Sequence, residues 1–226
     1  MRQRDANLNE VIVYNADIEA EHLGYRPVTL STNRGELQGR YYPVENASQG
    51  AIWVGGVGGD WDTPADGLYP KLAHDLKSNT IASLRLYFRY PTQLQEAVHD
   101  VLAGVSFLQD QEIDTIALIG HSFGGAVVIQ AGVRSPCVRT VVALASQAYG
   151  AESVAELATR SSLLLLHGRS DRILPYSCSQ NIYQLALEPK KIILYPDADH
   201  GLDKVAAEVY SEVREWIINQ LTLATV

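Results

Sequence analysis

Six short apolar runs, alternating with amphipathic stretches, occupy the chain from residue 51 to its end, and a chain written this way has few ways to fold. The runs are Ala51–Val54, Thr80–Tyr87, Thr115–Ile119, Thr140–Ala145, Ser162–Leu166 and Lys191–Tyr195. They are rich in β-branched residues and Leu and show no polar alternation, the pattern of parallel strands covered on both faces. Helical patterns fill the rest at Pro64–Lys77, Gln93–Gln109, Gly124–Val133, Ser153–Thr159, Tyr176–Leu187 and Leu202–Leu221. In the last, Leu202, Val205, Val209, Val213, Trp216 and Leu221 recur at near-helical spacing with Lys204, Glu208, Glu212 and Glu215 between them, so one face packs on the sheet. Upstream, Arg26–Ser31 and Glu36–Tyr42 alternate apolar and polar residues around Thr32, Asn33, Arg34 and Gly35, which predicts an antiparallel hairpin. Residues 1–22 read as a polar leader and 23–226 as a single domain.

A core of that size needs apolar material, and hydrophobic residues make up 46% of the 226-residue chain against 19% charged. Lys plus Arg number 18 against 26 Asp plus Glu, a net charge of -8 that repels phosphate backbones and anionic lipid. Neither nucleic acid nor a membrane surface is therefore expected as a partner. No apolar run approaches the ~20 residues that cross a bilayer, and the acidic leader lacks a signal-peptide core, which predicts a cytoplasmic protein. Cys137 and Cys178 have the spacing of neither a zinc site nor a disulfide scaffold, and no metal or other cofactor is expected. None of these features bears on oligomeric state.

The chemistry concentrates at the downstream ends of the predicted strands. Gly120-His121-Ser122-Phe123-Gly124-Gly125 follows Thr115–Ile119 and opens a helical pattern, which is the setting a Gly-x-Ser-x-Gly nucleophile elbow requires. A serine on so tight a turn holds a strained backbone, and glycine two residues to either side lets strand and helix close up. Its hydroxyl needs a base. Of the six histidines, His200 in Asp197-Ala198-Asp199-His200-Gly201 is the one in a polar loop directly after a strand. His121 reads as pointing to the opposite side of the turn, and His167 as a structural residue at a strand end. The imidazole in turn needs a carboxylate, which Asp171 supplies in the chain order Ser122, Asp171, His200. Asp197, Asp199 and Asp203 are rivals whose closeness to His200 in sequence makes the geometry hard. Gly55-Gly56-Val57-Gly58-Gly59 lacks the Lys-Ser/Thr of a phosphate loop and the third glycine of a dinucleotide fingerprint. It suits an oxyanion loop instead, with the backbone N–H groups of Val57 and Phe123 as donors.

Taken together, Gly55–Gly59, Gly120–Gly125, His167–Pro175 and Asp199–Gly201 resemble the motifs of the α/β-hydrolase superfamily, from the hairpin at Arg26 through the final helix. Among its branches the chain is most similar to small capless esterases and dienelactone-hydrolase-like proteins, here with a Ser nucleophile. The resemblance implies an α/β-hydrolase fold: about eight mostly parallel strands, an N-terminal antiparallel hairpin, helices on both faces and no cap domain. It also implies Ser122 as nucleophile, His200 as base and Asp171 as acid. Two departures stand out: Gly55-Gly56 replaces the usual His-Gly, and dienelactone hydrolases proper carry Cys where this chain has Ser122.

These readings converge on a carboxylesterase-like serine hydrolase of small carboxylic esters or thioesters. An acyltransferase or amidase with the same triad, and a non-catalytic ligand-binding module on this fold, are the alternatives. Ser146–Ser161 is too short for an inserted lid. Trp61, Phe123, Tyr149 and Leu174 are expected to flank Ser122 as a shallow wall that suits about two to six acyl carbons.

Overall fold

The computed structural model describes residues 10–59 and 61–223. Nine strands form one sheet: β1 (Val13–Ile18), β2 (Arg26–Thr32), β3 (Gly35–Tyr42), β4 (Gln49–Val54), β5 (Ile81–Tyr87), β6 (Thr115–His121), β7 (Val138–Leu144), β8 (Ser162–Gly168) and β9 (Lys190–Tyr195). Five α-helices connect or follow them: α1 (Pro64–Asp75), α2 (Leu94–Asp110), α3 (Phe123–Arg134), α4 (Ser177–Leu185) and α5 (Ala206–Leu223). The spatial order is β1-β2-β3-β5-β4-β6-β7-β8-β9. Pairing is antiparallel from β1 to β5 and parallel from β5 to β9.

The apolar runs become parallel strands because both their faces are covered. Along β4, Ile52 faces one side with Leu84, Leu118 and Leu165, under α2, α3 and α4. Trp53 faces the other with Ile119, Val142 and Leu164, under α1 and α5. Alternate side chains thus feed two cores, and neither side of a central strand tolerates polar residues. The hairpin is tied down at its turn: Arg34 pairs with Glu96 of α2, and Arg89, just after β5, pairs with Glu96 at 3.0 Å and with Asp100 at 2.5 Å.

Three features differ from the sequence reading. The sheet has nine strands rather than about eight because Val13–Ile18, within the segment read as leader, pairs with β2 and sets Ala16 opposite Leu30. An edge strand with polar residues interspersed leaves no apolar run to find. Residues 1–9 of that segment lie outside the described residues. Ser153–Thr159 winds as a 3₁₀ stretch, Glu152–Thr159, rather than as α-helix. The first turn of α1 is broken, with Ala65, Asp66 and Gly67 all left-handed. No cap interrupts the fold, since only residues 145–161 lie between β7 and β8.

Because six strands run parallel from β5 to β9, their C-terminal ends lie along one edge of the sheet. The loops that leave this edge carry every candidate site residue.

Candidate active site

β6 delivers the chain directly into Ser122, whose φ of 56° and ψ of -118° lie outside the allowed regions for a non-glycine residue. Such a conformation costs about 1–3 kcal/mol and persists only where the surroundings enforce it. Three glycines make the enforcement possible. A Cβ on Gly120 would overlap the Gly124 carbonyl, one on Gly124 would overlap the Gly55 carbonyl oxygen, and one on Gly125 would overlap Ser146. The turn is held by Ser122 N–H donating to the Leu144 carbonyl at 2.8 Å, and by the Ser122 carbonyl accepting from Gly125 N–H at 3.1 Å and Gln147 N–H at 3.3 Å.

A serine at the start of a helix ordinarily caps it. Here the side chain makes no capping bond, so Oγ is left available beside the N-terminus of α3, where partial positive charge favours an anion. The backbone of Gly56 runs alongside: a Cβ there would lie 3.2 Å from Ser122 Cβ and 3.6 Å from Oγ. Among the described residues, the N–H groups of Val57 and Phe123 donate to no protein acceptor.

His200 sits in the loop after β9. Its Nδ1 donates to Asp171 Oδ2 at 2.7 Å, and its carbonyl oxygen accepts from His121 Nε2 at 2.9 Å. The two imidazoles pack with centroids 4.8 Å apart. Gly168 admits this loop to the end of β8, since a Cβ there would overlap the Ala198 carbonyl. The Asp171 side chain is fully buried and accepts four hydrogen bonds. Oδ2 takes His200 and, at 3.1 Å, His167 Nε2, while Oδ1 takes Ile173 N–H at 2.8 Å and Leu174 N–H at 2.9 Å. Burial pushes this carboxyl upward, but the donors from His200, Leu174 and Ile173 outweigh it and hold it below the usual carboxylate range.

The rival acids are placed otherwise. Asp203 Oδ1 accepts the N–H of Asp66 at 2.8 Å, and Asp197 and Asp199 are exposed. The hydrogen bonds among the described residues join His200 to Asp171 but do not join Ser122 Oγ to His200. Catalytic hydrogen bonds that close fully only with substrate bound commonly look this way.

The expected wall residues have the following surroundings, with Phe123 adjoining Ser122 in the chain. Trp61 lies against the sheet edge, 4.0 Å under the Arg40 guanidinium and 5.9 Å from the Tyr87 ring, with its carbonyl accepting from Arg85 at 2.9 Å. Tyr149 is 76% exposed. Leu174 contributes its main chain, donating to Asp171 and accepting from His167 Nε2 at 3.1 Å. Phe123 packs its ring edge-on to Phe88. Beside His200 lies a groove of about 560 Å³ lined by Arg172, Ile173, Asp199 and Lys204 among others. Among the described residues, no three metal-ligating side chains converge.

Two histidines whose sequence setting reads as structural stand at the site: His121, against His200, and His167, against Asp171. For His167 the one local signal is its spacing of four residues from Asp171 across a tight turn. Burial pushes both imidazoles below the ordinary histidine value and keeps them neutral. Below about pH 6.5 the unfolded chain takes up protons at both positions that the folded chain refuses, so this stability is present above that pH and lost as pH falls. Asp100 runs the other way, its carboxyl pushed up to about 6 by burial despite Arg89, but it is one group against two. The urea midpoint of unfolding is therefore expected to be lower at about pH 6 than at about pH 7.5, and an equal or higher midpoint would contradict neutral burial of the two rings.

Comparison with known proteins agrees with this architecture. The dienelactone hydrolase family model matches residues 67–223. YfhR of Escherichia coli strain K12, an uncharacterized protein, is 29% identical over 107 residues, 38% of each chain. YfhR of Salmonella typhi is 27% identical over 129 residues, 49% of this chain and 44% of the relative, so the match spans less than half the length of these curated relatives. Among solved structures, the esterase domain of a Rhodothermus marinus protein superposes with a TM-score of 0.70 at 21% identity, covering 87% of this chain and 99% of that one. A dienelactone hydrolase from Anabaena variabilis gives 0.75 at 16% identity, covering 87% and 97%. Est1E from Butyrivibrio proteoclasticus gives 0.69 at 16%, covering 92% and 99%. The family match over more than half of the chain, on a sheet and elbow of this form, means that the chain belongs to the dienelactone hydrolase family and carries the α/β-hydrolase fold.

Proposed function

We propose that the protein is a serine hydrolase that cleaves small carboxylic esters or thioesters through an acyl-enzyme on Ser122. The observation that carries this reading is a strained serine with an uncommitted hydroxyl on the same sheet edge as an imidazole whose Nδ1 is anchored to a buried carboxylate. With Nδ1–H donated to Asp171, the free Nε2 of His200 is the basic nitrogen. It takes the Ser122 proton as Oγ attacks the carbonyl carbon. The resulting oxyanion accepts from the Val57 and Phe123 N–H groups, and the leaving group departs with the proton returned from His200. Water, deprotonated by the same nitrogen, then releases the acid and restores the serine.

A fluorophosphonate tests the reading directly. A covalent adduct on the Ser122 peptide is expected from intact protein, and no adduct anywhere would overturn the assignment.

The open groove with its Arg172, Asp199 and Lys204 rim, together with the absence of a cap, favours short acyl groups. Each methylene that finds apolar contact adds about 0.8 kcal/mol, or about fourfold in kcat/KM. For nitrophenyl esters, kcat/KM is expected to rise and then level off by about six acyl carbons, where the chain leaves the protein surface. A steady rise through twelve carbons would require an enclosed acyl channel and would refute the short-chain preference.

A further inference from the structure

We propose that His167 is a positioning residue for the Ser122 site: a buried imidazole that, backed by the Ser179 hydroxyl of α4, donates to the same Asp171 oxygen that anchors His200. The inference rests on the reading of Ser122, His200 and Asp171 given above and adds a role for two side chains outside that triad.

The direction of the two bonds from Nε2 follows from the atoms present, and that of the bond to Ser179 from the neutral state of the ring. His167 Nε2 lies 3.1 Å from Asp171 Oδ2 and 3.1 Å from the Leu174 carbonyl oxygen, and neither a carboxylate nor a carbonyl oxygen can donate. Nε2 therefore carries a hydrogen. Burial keeps the ring neutral, so Nδ1 presents its lone pair, and Ser179 Oγ at 2.7 Å must be the donor to it. The result is an ordered relay: Ser179 O–H to His167 Nδ1, then His167 Nε2–H to Asp171 Oδ2, which also receives His200 Nδ1–H. His167 and Ser179 are both sealed from solvent, so water does not substitute for either partner.

Two consequences follow for the acid. Its plane is fixed, because donors occupy both lobes of both oxygens. Its basicity is also reduced at the oxygen that matters, since a second donor on Oδ2 withdraws electron density from the bond to His200. Removing the His167 donor leaves Oδ2 more basic, favours protonated His200, and leaves less free base at a given pH. The charged and titratable groups facing this chain are Asp171 and His200 on the His167 side. Around His200 they are His121, Arg172, Asp199, Asp203 and Lys204. All of these are unchanged by the substitutions below.

The test is the pH dependence of kcat/KM and of Ser122 labelling by a fluorophosphonate in wild-type protein, His167→Leu, His167→Gln and Ser179→Ala. His167→Leu is expected to move the acid limb upward by about half a pH unit and to lower the plateau about tenfold. His167→Gln puts an amide N–H where the ring Nε2–H was and is expected to keep the wild-type limb. Ser179→Ala leaves the ring in place but weakens it as a donor, and is expected to shift the limb in the same direction by less. It carries the test if His167→Leu does not fold. A folded His167→Leu or Ser179→Ala with the wild-type limb overturns the relay, because a merely structural histidine changes stability without moving an ionisation. A His167→Gln limb that moves with the Leu variant overturns it too. If wild-type protein does not label at any pH, the Ser122 reading fails and the relay falls with it. Normal wild-type labelling with an immobile limb defeats the relay alone.

Discussion

Ser122→Ala is expected to lower ester turnover by a factor of about 10³ or more while leaving the folded state intact. The size follows from the proposed route, in which the hydroxyl is the sole atom able to form the acyl-enzyme. What remains is the modest acceleration that aimed N–H groups and substrate binding give to attack by water. The intact fold follows from the local structure. Oγ makes no capping bond and joins no hydrogen bond among the described residues, so its removal strands no partner. Alanine meets the same strain at φ 56° as serine does. Turnover should vanish into the background rate, fluorophosphonate labelling should disappear, and the unfolding midpoint should hold. Wild-type turnover in the variant would remove Ser122 from the chemistry altogether.

The elbow was legible because it is a local device. The apolar run of β6, the two flanking glycines and the start of α3 lie within one short stretch and can be read together, even though the clash that requires Gly124 is with the Gly55 carbonyl at the end of β4. His200 and Asp171 were legible for a related reason, since each follows an apolar strand and the parallel sheet brings strand ends to one edge. What escaped the sequence depends on register or on long-range contact. Trp61 looks like a wall residue from its place after the glycine loop. The pairing of Arg40 with Arg85 across β3 and β5 also sets two guanidinium groups beside its ring, and nothing local encodes that pairing. Pro64–Lys77 has a helical pattern from its first residue. Its opening turn is nevertheless unwound where Ala65 N–H donates to the Gly201 carbonyl at 2.7 Å and Asp66 N–H to Asp203, tying α1 to the His200 loop. The same holds for His121, whose partner His200 lies 79 positions along the chain.

Gly124→Ala joins the stability of the fold to the site and is expected to cost on the order of 3 kcal/mol or more, a large fraction of the roughly 5–15 kcal/mol that holds a domain folded. An added Cβ would overlap the carbonyl oxygen of Gly55 and lie 3.1 Å from that of Val54. Both atoms are backbone, at the end of a central strand, so no side-chain rotation relieves the clash. Either α3 or the Gly55–Gly59 loop must move. Ordinary overpacking costs about 1–3 kcal/mol where side chains can give way, and a backbone contact sits at the upper end of that range or beyond it. Helix propensity pulls the other way, because alanine inside a helix is worth about 1 kcal/mol over glycine, too little to compensate. Gly58→Ala is the control: among the described residues a Cβ there meets nothing within 4 Å, and the residue needs no left-handed backbone, so stability should stay within about 0.5 kcal/mol of wild type. Urea unfolding of the two variants gives the comparison. Whatever fraction of Gly124→Ala folds should also turn over poorly, because a displaced Gly55 carries the Val57 N–H away from the oxyanion position proposed above. A loss below about 1 kcal/mol with full activity would mean that elbow and loop do not touch as they do here, and would remove the steric reason for glycine at position 124.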